Sequence, residues 1–214
     1  MANLISKTAL ILSTETTLSR SVMNELRNAG ADAAILNVSE ASEATWDREL
    51  LNSSSTQTGI NVIINMCIPE TGGAVGIVQL TDFRNILKNS YVRTWLALKY
   101  GIRALRASGG GCFINITSVA GRHGSSAAAA RCAASHGIEL MTKSAALECA
   151  AKQDNVRVNA LLVGDIIIGD HEAYAPGHVS PKDVATAVTH LASDAALYIT
   201  GLIMPVDNGG GLSS

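Results

Sequence analysis

Short apolar runs alternate along this chain with longer stretches in which apolar residues recur every three or four positions. The runs at residues 8–12, 33–36, 61–64, 112–116, 157–162 and 202–205 have strand length and few polar interruptions, the pattern of strands buried on both faces. Helical spacing occupies 18–29, 82–107, 127–151 and 182–193. Its strongest stripe joins Phe83, Leu87, Tyr91, Trp95, Leu98, Ile102 and Leu105 and stops at Gly109-Gly110-Gly111, which predicts one long amphipathic helix. The helix from about Ala127 is rich in Ala, Ser and Gly, side chains small enough for another helix or a sheet to come close. Strand and helix in alternation predict an α/β fold, a doubly wound parallel sheet with helices on both faces. No repeat or linker interrupts the pattern, so residues 1–214 read as one domain.

Composition narrows the function classes. With 47% hydrophobic and 16% charged residues the chain can bury one sizeable core. A formal net charge of −2 offers no basic field for nucleic acid or an anionic membrane surface. No uninterrupted apolar stretch is long enough to span a bilayer, and the first residues lack the pattern of a secretory signal, so a cytoplasmic location is expected. The cysteines Cys67, Cys112, Cys132 and Cys149 lie far apart without a Cys-x-x-Cys. They read as reduced, mostly buried thiols and suggest neither a zinc site nor a disulfide framework.

Three segments carry a family resemblance: Asn115-Ile116-Thr117-Ser118-Val119-Ala120-Gly121, Arg157-Val158-Asn159-Ala160, and the ending Pro205-Val206-Asp207-Asn208-Gly209-Gly210. Through them the chain resembles the short-chain dehydrogenase/reductases over nearly its whole length. The resemblance implies a Rossmann-type sheet, a dinucleotide at the turn after the first strand, and a catalytic Tyr-x-x-x-Lys pair supported by a serine and an asparagine. Ser118 and Asn89 match the supporting positions. Arg131 and Ser135 stand where the tyrosine and lysine belong.

The nucleotide turn departs from the family as well. Where relatives carry three glycines this chain carries Ser13, Thr17 and Ser19, with Glu15 between them. Glycines there let the backbone turn tightly and approach the pyrophosphate; a β-branched Thr17 would take up that space and the Glu15 carboxylate would compete with phosphate. Ser13 to Thr17 read better as a helix-capping loop than as an anion site. Asn37 replaces the acidic residue that NAD-dependent relatives often place on the ribose, and the family's Asn-Asn-Ala-Gly reads Asn65-Met66-Cys67-Ile68.

A guanidinium does not exchange protons usefully near neutrality, and losing a general acid costs on the order of 10²–10⁴ in rate. The expected function is therefore a catalytically inactive subunit that binds no cofactor itself and pairs with an active short-chain dehydrogenase homologue. The assembly expected is a hetero-oligomer, a tetramer by family habit, with NAD(P) in the partner subunit. Such a chain resembles the inactive subunit of a heteromeric dehydrogenase like the acyl-CoA-acting one of anaerobic toluene degradation. Two alternatives stay open: a cofactor-free lyase, isomerase or ligand-binding protein using His123, His136, Arg131 and Asp165, and, ranked last, an active reductase with unusual cofactor contacts. The substrate lid, residues 164–180, is expected to be short.

Overall fold

In the computed structural model, residues 3–37, 43–54, 59–69, 72–168 and 175–212 are described. Their elements run β1 (Thr8–Leu12), α1 (Thr17–Asn28), β2 (Asp32–Leu36), α2 (Glu43–Ser54), β3 (Val62–Met66) and α3 (Leu80–Leu87). A π-helical turn, Lys88–Val92, then leads into α4 (Arg93–Ala107), β4 (Gly111–Ser118) and α5 (Ala129–Lys152). β5 (Val156–Val163), the short pair β6 (Asp165–Ile166) and β7 (His178–Val179), α6 (Pro181–Ala192) and β8 (Ile203–Val206) complete them. The main sheet is parallel in the order β2-β1-β3-β4-β5-β8. Successive connections leave β1 in opposite directions, so the crevice at the carboxyl ends of β1 and β3 is the topological switch point.

Continuous apolar strands make this sheet possible, since both faces are covered. Ile11, Ile64, Ile114 and Leu161 pack against Leu18, Val22 and Leu26 of α1 and Val184, Val188 and Leu191 of α6. Leu10, Ile63, Phe113 and Val158 face Trp46 and Leu50 of α2, Leu98 and Leu105 of α4, and Ala146 of α5. The predicted strands and the helices near 18–29, 127–151 and 182–193 are present with ends shifted by a few residues. α2 is an addition, because its polar stretch carries only a weak stripe.

The predicted helix over 82–107 is corrected: the π turn divides it. At that turn the Ser90 hydroxyl donates to the Ile86 carbonyl four residues back, 2.5 Å away, competing with the helical ladder. The extra residue offsets the phase of the stripe. Leu98, Ile102 and Leu105 are buried as expected, but Tyr91 and Trp95 stay exposed. Core positions beyond the turn go partly to Ala97, Tyr100 and Ala104 instead.

Of the expected short lid, residues 169–174 lie outside those described, as does His171. The remainder forms the β6–β7 pair. Gly164 is required there, because a Cβ would lie 2.2 Å from the Gly177 carbonyl oxygen, and that oxygen accepts from the Asp165 N–H.

All four cysteines are free thiols; Cys67, Cys112 and Cys149 are buried and Cys132 is partly exposed. Burial raises the pKa of Cys67 and Cys149 and pushes Cys112 up to about 11 from its ordinary 9.0. The unfolded chain sheds the Cys112 proton near 9.0 while the folded chain keeps it, so stability present below pH 9.0 is lost as pH rises toward 11. Denaturant midpoints should therefore fall between these pH values, and fall less steeply in Cys112→Ala. Equal slopes would refute the burial effect. A disulfide reagent should modify the partly exposed Cys132 well ahead of the three buried thiols.

Candidate functional site

The turn after β1 is built from hydroxyls. Thr16 is the N-cap of α1; its side chain accepts from the Ser19 N–H at 3.1 Å. The Ser19 hydroxyl accepts from the Thr16 N–H at 2.8 Å and lies 3.0 Å from the Thr14 carbonyl. Two backbone donors at this helix start are thus satisfied by the chain's own side chains, as the capping-loop reading anticipates. Ser13 and Ser19 are buried, whereas Thr17 is exposed and does not line the cleft. Glu15 is also turned away: its carboxylate pairs with Arg20 at 2.8 Å on the surface. The expectation that Thr17 and Glu15 obstruct the cleft directly is corrected; the capped turn and its ion pair hold both outside.

A cleft of about 680 Å³ opens over the switch point, lined among others by Ser13, Thr14, Asn37, Cys67, Asn89 and Arg93. Arg93 was not anticipated. It follows the π turn, and its guanidinium donates to the Met66 carbonyl at the end of β3 and the Leu12 carbonyl at the end of β1, both at 3.2 Å. A cation thereby ties together the two strand ends that define the crevice, with the Trp46 ring 6.0 Å from its carbon. The signal available in sequence was an arginine one turn beyond Asn89, where the amphipathic stripe called for no charge.

The second half of the site lies at the ends of β4 and β5. Strand β4 delivers Thr117 and Ser118, and Ser118 accepts from the Ala120 N–H at 3.2 Å, capping a 3₁₀ turn at Val119–Gly121. The first two turns of α5 supply Arg131 and Ser135. Ser135 is fully buried, and its hydroxyl is 3.2 Å from that of Thr117. Position 135 thus forms a neutral hydroxyl pair with Thr117 against the sheet. A Cβ on Gly121 would lie 2.8 Å from the His136 nitrogen, so the 3₁₀ turn sits close against α5.

A pocket of about 270 Å³ holds Ser118, His123, Arg131 and Asp165 together. His136 does not join them; it is exposed on α5. Asn89 lines the larger cleft, so the two positions matching the family's supporting residues face different cavities. The Arg131 Nε is buried without a hydrogen-bond partner among the described residues. Arg122, by contrast, donates to the buried Glu139 carboxylate at 3.0 Å. No group of residues suited to hold a metal ion occurs among those described, nor is any described helix long and apolar enough to cross a membrane.

Beneath both cavities runs a buried amide network. Asn65 of β3 donates to Asn115 of β4 at 2.9 Å and to Thr94 of α4 at 3.2 Å. Asn115 donates in turn to Thr142 of α5 at 2.9 Å. All four residues are fully buried.

A family model described as Enoyl-(Acyl carrier protein) reductase matches residues 10–210, and the chain belongs to the short-chain dehydrogenase/reductase family of oxidoreductases. It is 27% identical over 205 residues to 2,5-dichloro-2,5-cyclohexadiene-1,4-diol dehydrogenase LinX of Sphingobium indicum, covering 90% of this chain and 81% of that one. It is 27% identical over 202 residues to cis-4-hydroxycyclohexanecarboxylate dehydrogenase of Sinomonas cyclohexanicum, covering 88% and 80%. A short-chain dehydrogenase/reductase structure from Burkholderia xenovorans superposes over 100% of both chains with a TM-score of 0.86 at 21% identity, a likeness of fold.

Replacing Asn115 by Leu should destabilise the chain by about 2 kcal/mol, because Thr142 and Asn65 each lose a buried partner. Equilibrium denaturation measures this. A loss under roughly 0.5 kcal/mol would mean that the amide network does not carry the packing assigned to it.

Proposed function

We propose that this chain is a non-catalytic member of its family that pairs with an active homologue and supports it. The observation that carries the reading is the pair Arg131 and Ser135. At the family's tyrosine position stands a guanidinium that stays protonated, and at its lysine position a buried hydroxyl bonded to Thr117. Neither can move a proton to or from an alcohol at neutral pH. The relatives named as dehydrogenases show what the fold performs elsewhere, and these two substitutions separate this chain from the family's proton chemistry.

The nucleotide turn supports the same reading. Its Ser19 and Thr16 N–H groups are already capped by hydroxyls, and side chains stand at all three positions where the family has glycine. Such a turn does not fit a pyrophosphate in the family manner, so NAD(P) is assigned to the partner subunit.

Pairing is supported by the outer faces of α4 and α5. Trp95, Leu140 and Leu147 are exposed there, with Tyr91 and Val92 of the adjoining π turn, Trp95 by 45% and Leu147 by 72%. The Tyr91 ring lies against Gly137, where a Cβ would be 2.5 Å from it, so the two helices present one joined apolar surface. The family's long helices commonly form its subunit interfaces, and a homologue of the same fold offers the matching pair. Acyl-CoA alcohols are the substrate class that the resemblance to heteromeric dehydrogenases suggests for the whole assembly.

A second reading, a ligand-binding or cofactor-free site on the same fold, is favoured by the single pocket shared by His123, Arg131 and Asp165. It concerns a different surface and is compatible with pairing.

Native mass spectrometry of the complex purified from its own cells at natural expression should find a second short-chain dehydrogenase in stoichiometric amount. A homo-oligomer alone would overturn the pairing. Fluorescence titration of the isolated chain should show no saturable NAD(P)H binding, and assays of the isolated chain should show no alcohol dehydrogenase turnover. Dehydrogenase turnover by the wild-type chain alone would overturn the non-catalytic reading.

A further inference from the structure

From the pocket beside α5 we infer a binding site for a small hydroxycarboxylate. The proposal rests on the second reading above, that this pocket takes a ligand, and names the ligand's chemistry.

The pocket of about 270 Å³ has room for a molecule of a few carbons rather than a nucleotide. Arg131 is the cation on its wall. No hydrogen bond or ion pair holds its guanidinium among the described residues, the Nε being buried without an acceptor, while Arg122 pairs with Glu139 farther along α5. Asp165 lines the same pocket, yet forms no ion pair with Arg131 within 4.0 Å. The two terminal nitrogens of the guanidinium on this pocket wall form a planar pair of donors suited to a carboxylate, which accepts two parallel bonds from them.

The rest of the lining selects the other end of the ligand. The Ser118 oxygen accepts from the Ala120 N–H, which leaves its O–H to donate into the pocket. Asp165, exposed at the rim, is an acceptor for a ligand hydroxyl, and would oppose a second negative charge on the ligand. Cation, hydroxyl and carboxylate within one small cavity therefore define a monocarboxylate bearing a hydroxyl group. No group with a lowered proton affinity is required, because the site binds and need not react.

The test is calorimetric titration of the full-length chain with 3-hydroxybutyrate and, as a neutral isostere, 3-hydroxybutanamide. Saturable binding of the acid, with the amide at least tenfold weaker, is the expected result. Arg131→Gln should abolish the preference and Arg131→Lys should retain part of it. Thermal unfolding of each variant checks that it is folded; the Arg131 side chain has no described polar partner to lose. Equal binding of acid and amide, or an Arg131→Gln variant that binds the acid unchanged, would overturn the carboxylate assignment while leaving a ligand pocket. Absence of binding by both compounds to the folded wild-type chain would overturn the pocket reading as well.

Discussion

The buried amide pair Asn65 and Asn115 is the constraint on which the rest of the site depends. The two residues face each other in register across β3 and β4, fully excluded from water. A buried amide must be hydrogen-bonded or it costs stability. The partners come from the helices: Thr94 brings in α4 and Thr142 brings in α5, and of the pair's polar atoms the Asn65 Oδ1 is left without a partner among the described residues. Apolar packing sets roughly how far each helix lies from the sheet; these directional bonds set its rotation and its position along the strands. Arg93 is one residue from Thr94, while Ser135 and Arg131 lie about two and three turns before Thr142 on α5. Both cavities inherit their walls from this network.

The carboxyl edge of the sheet is then divided by what those helices carry. On the β1–β3 side, Arg93 closes the two strand ends with its own donors, and Thr16 and Ser19 occupy donors at the start of α1. Those donors are satisfied internally. On the β4–β5 side, Arg131 lines a pocket and no hydrogen bond or ion pair holds its guanidinium among the described residues. The crevice where an open α/β sheet ordinarily receives a ligand is the half whose arginine and helix-start donors are engaged within the chain, and the neighbouring half holds an arginine without such a partner.

Much of this architecture was legible in sequence because each signal was local. Continuous apolar runs gave the strands, and Ser and Thr before Leu18 gave the capped helix start, down to the residue types that form the cap. The π turn was not legible: the stripe through Phe83, Leu87, Tyr91 and Trp95 is as regular as any helix. What interrupts it is a single hydroxyl, Ser90, bonding back to Ile86, and a serine in a helical pattern is usually unremarked. Arg93 and the Arg122–Glu139 pair were equally hidden, since each joins elements far apart in the chain. The direction of Glu15 was misjudged for a similar reason. Its position beside the helix start was right, but Arg20, five residues on, draws its carboxylate outward.

The pairing of substitutions at Arg131 and Ser135 has a physical logic of its own. A lysine at 135 would place an ammonium in a fully buried position beside Thr117, with the 3₁₀ turn at Gly121 packed close against the same helix face. A charge there needs both a partner and access to solvent or cofactor hydroxyls, and an unpaired buried charge is strongly destabilising. With serine, the position closes on a neutral hydroxyl pair and the helix seats against β4. Arg131, one turn earlier, then lines its pocket with no ammonium beside it. Replacing the tyrosine alone would have left a buried ammonium facing an arginine. A neutral residue at 135 therefore suits an arginine at 131, on the wall of the pocket.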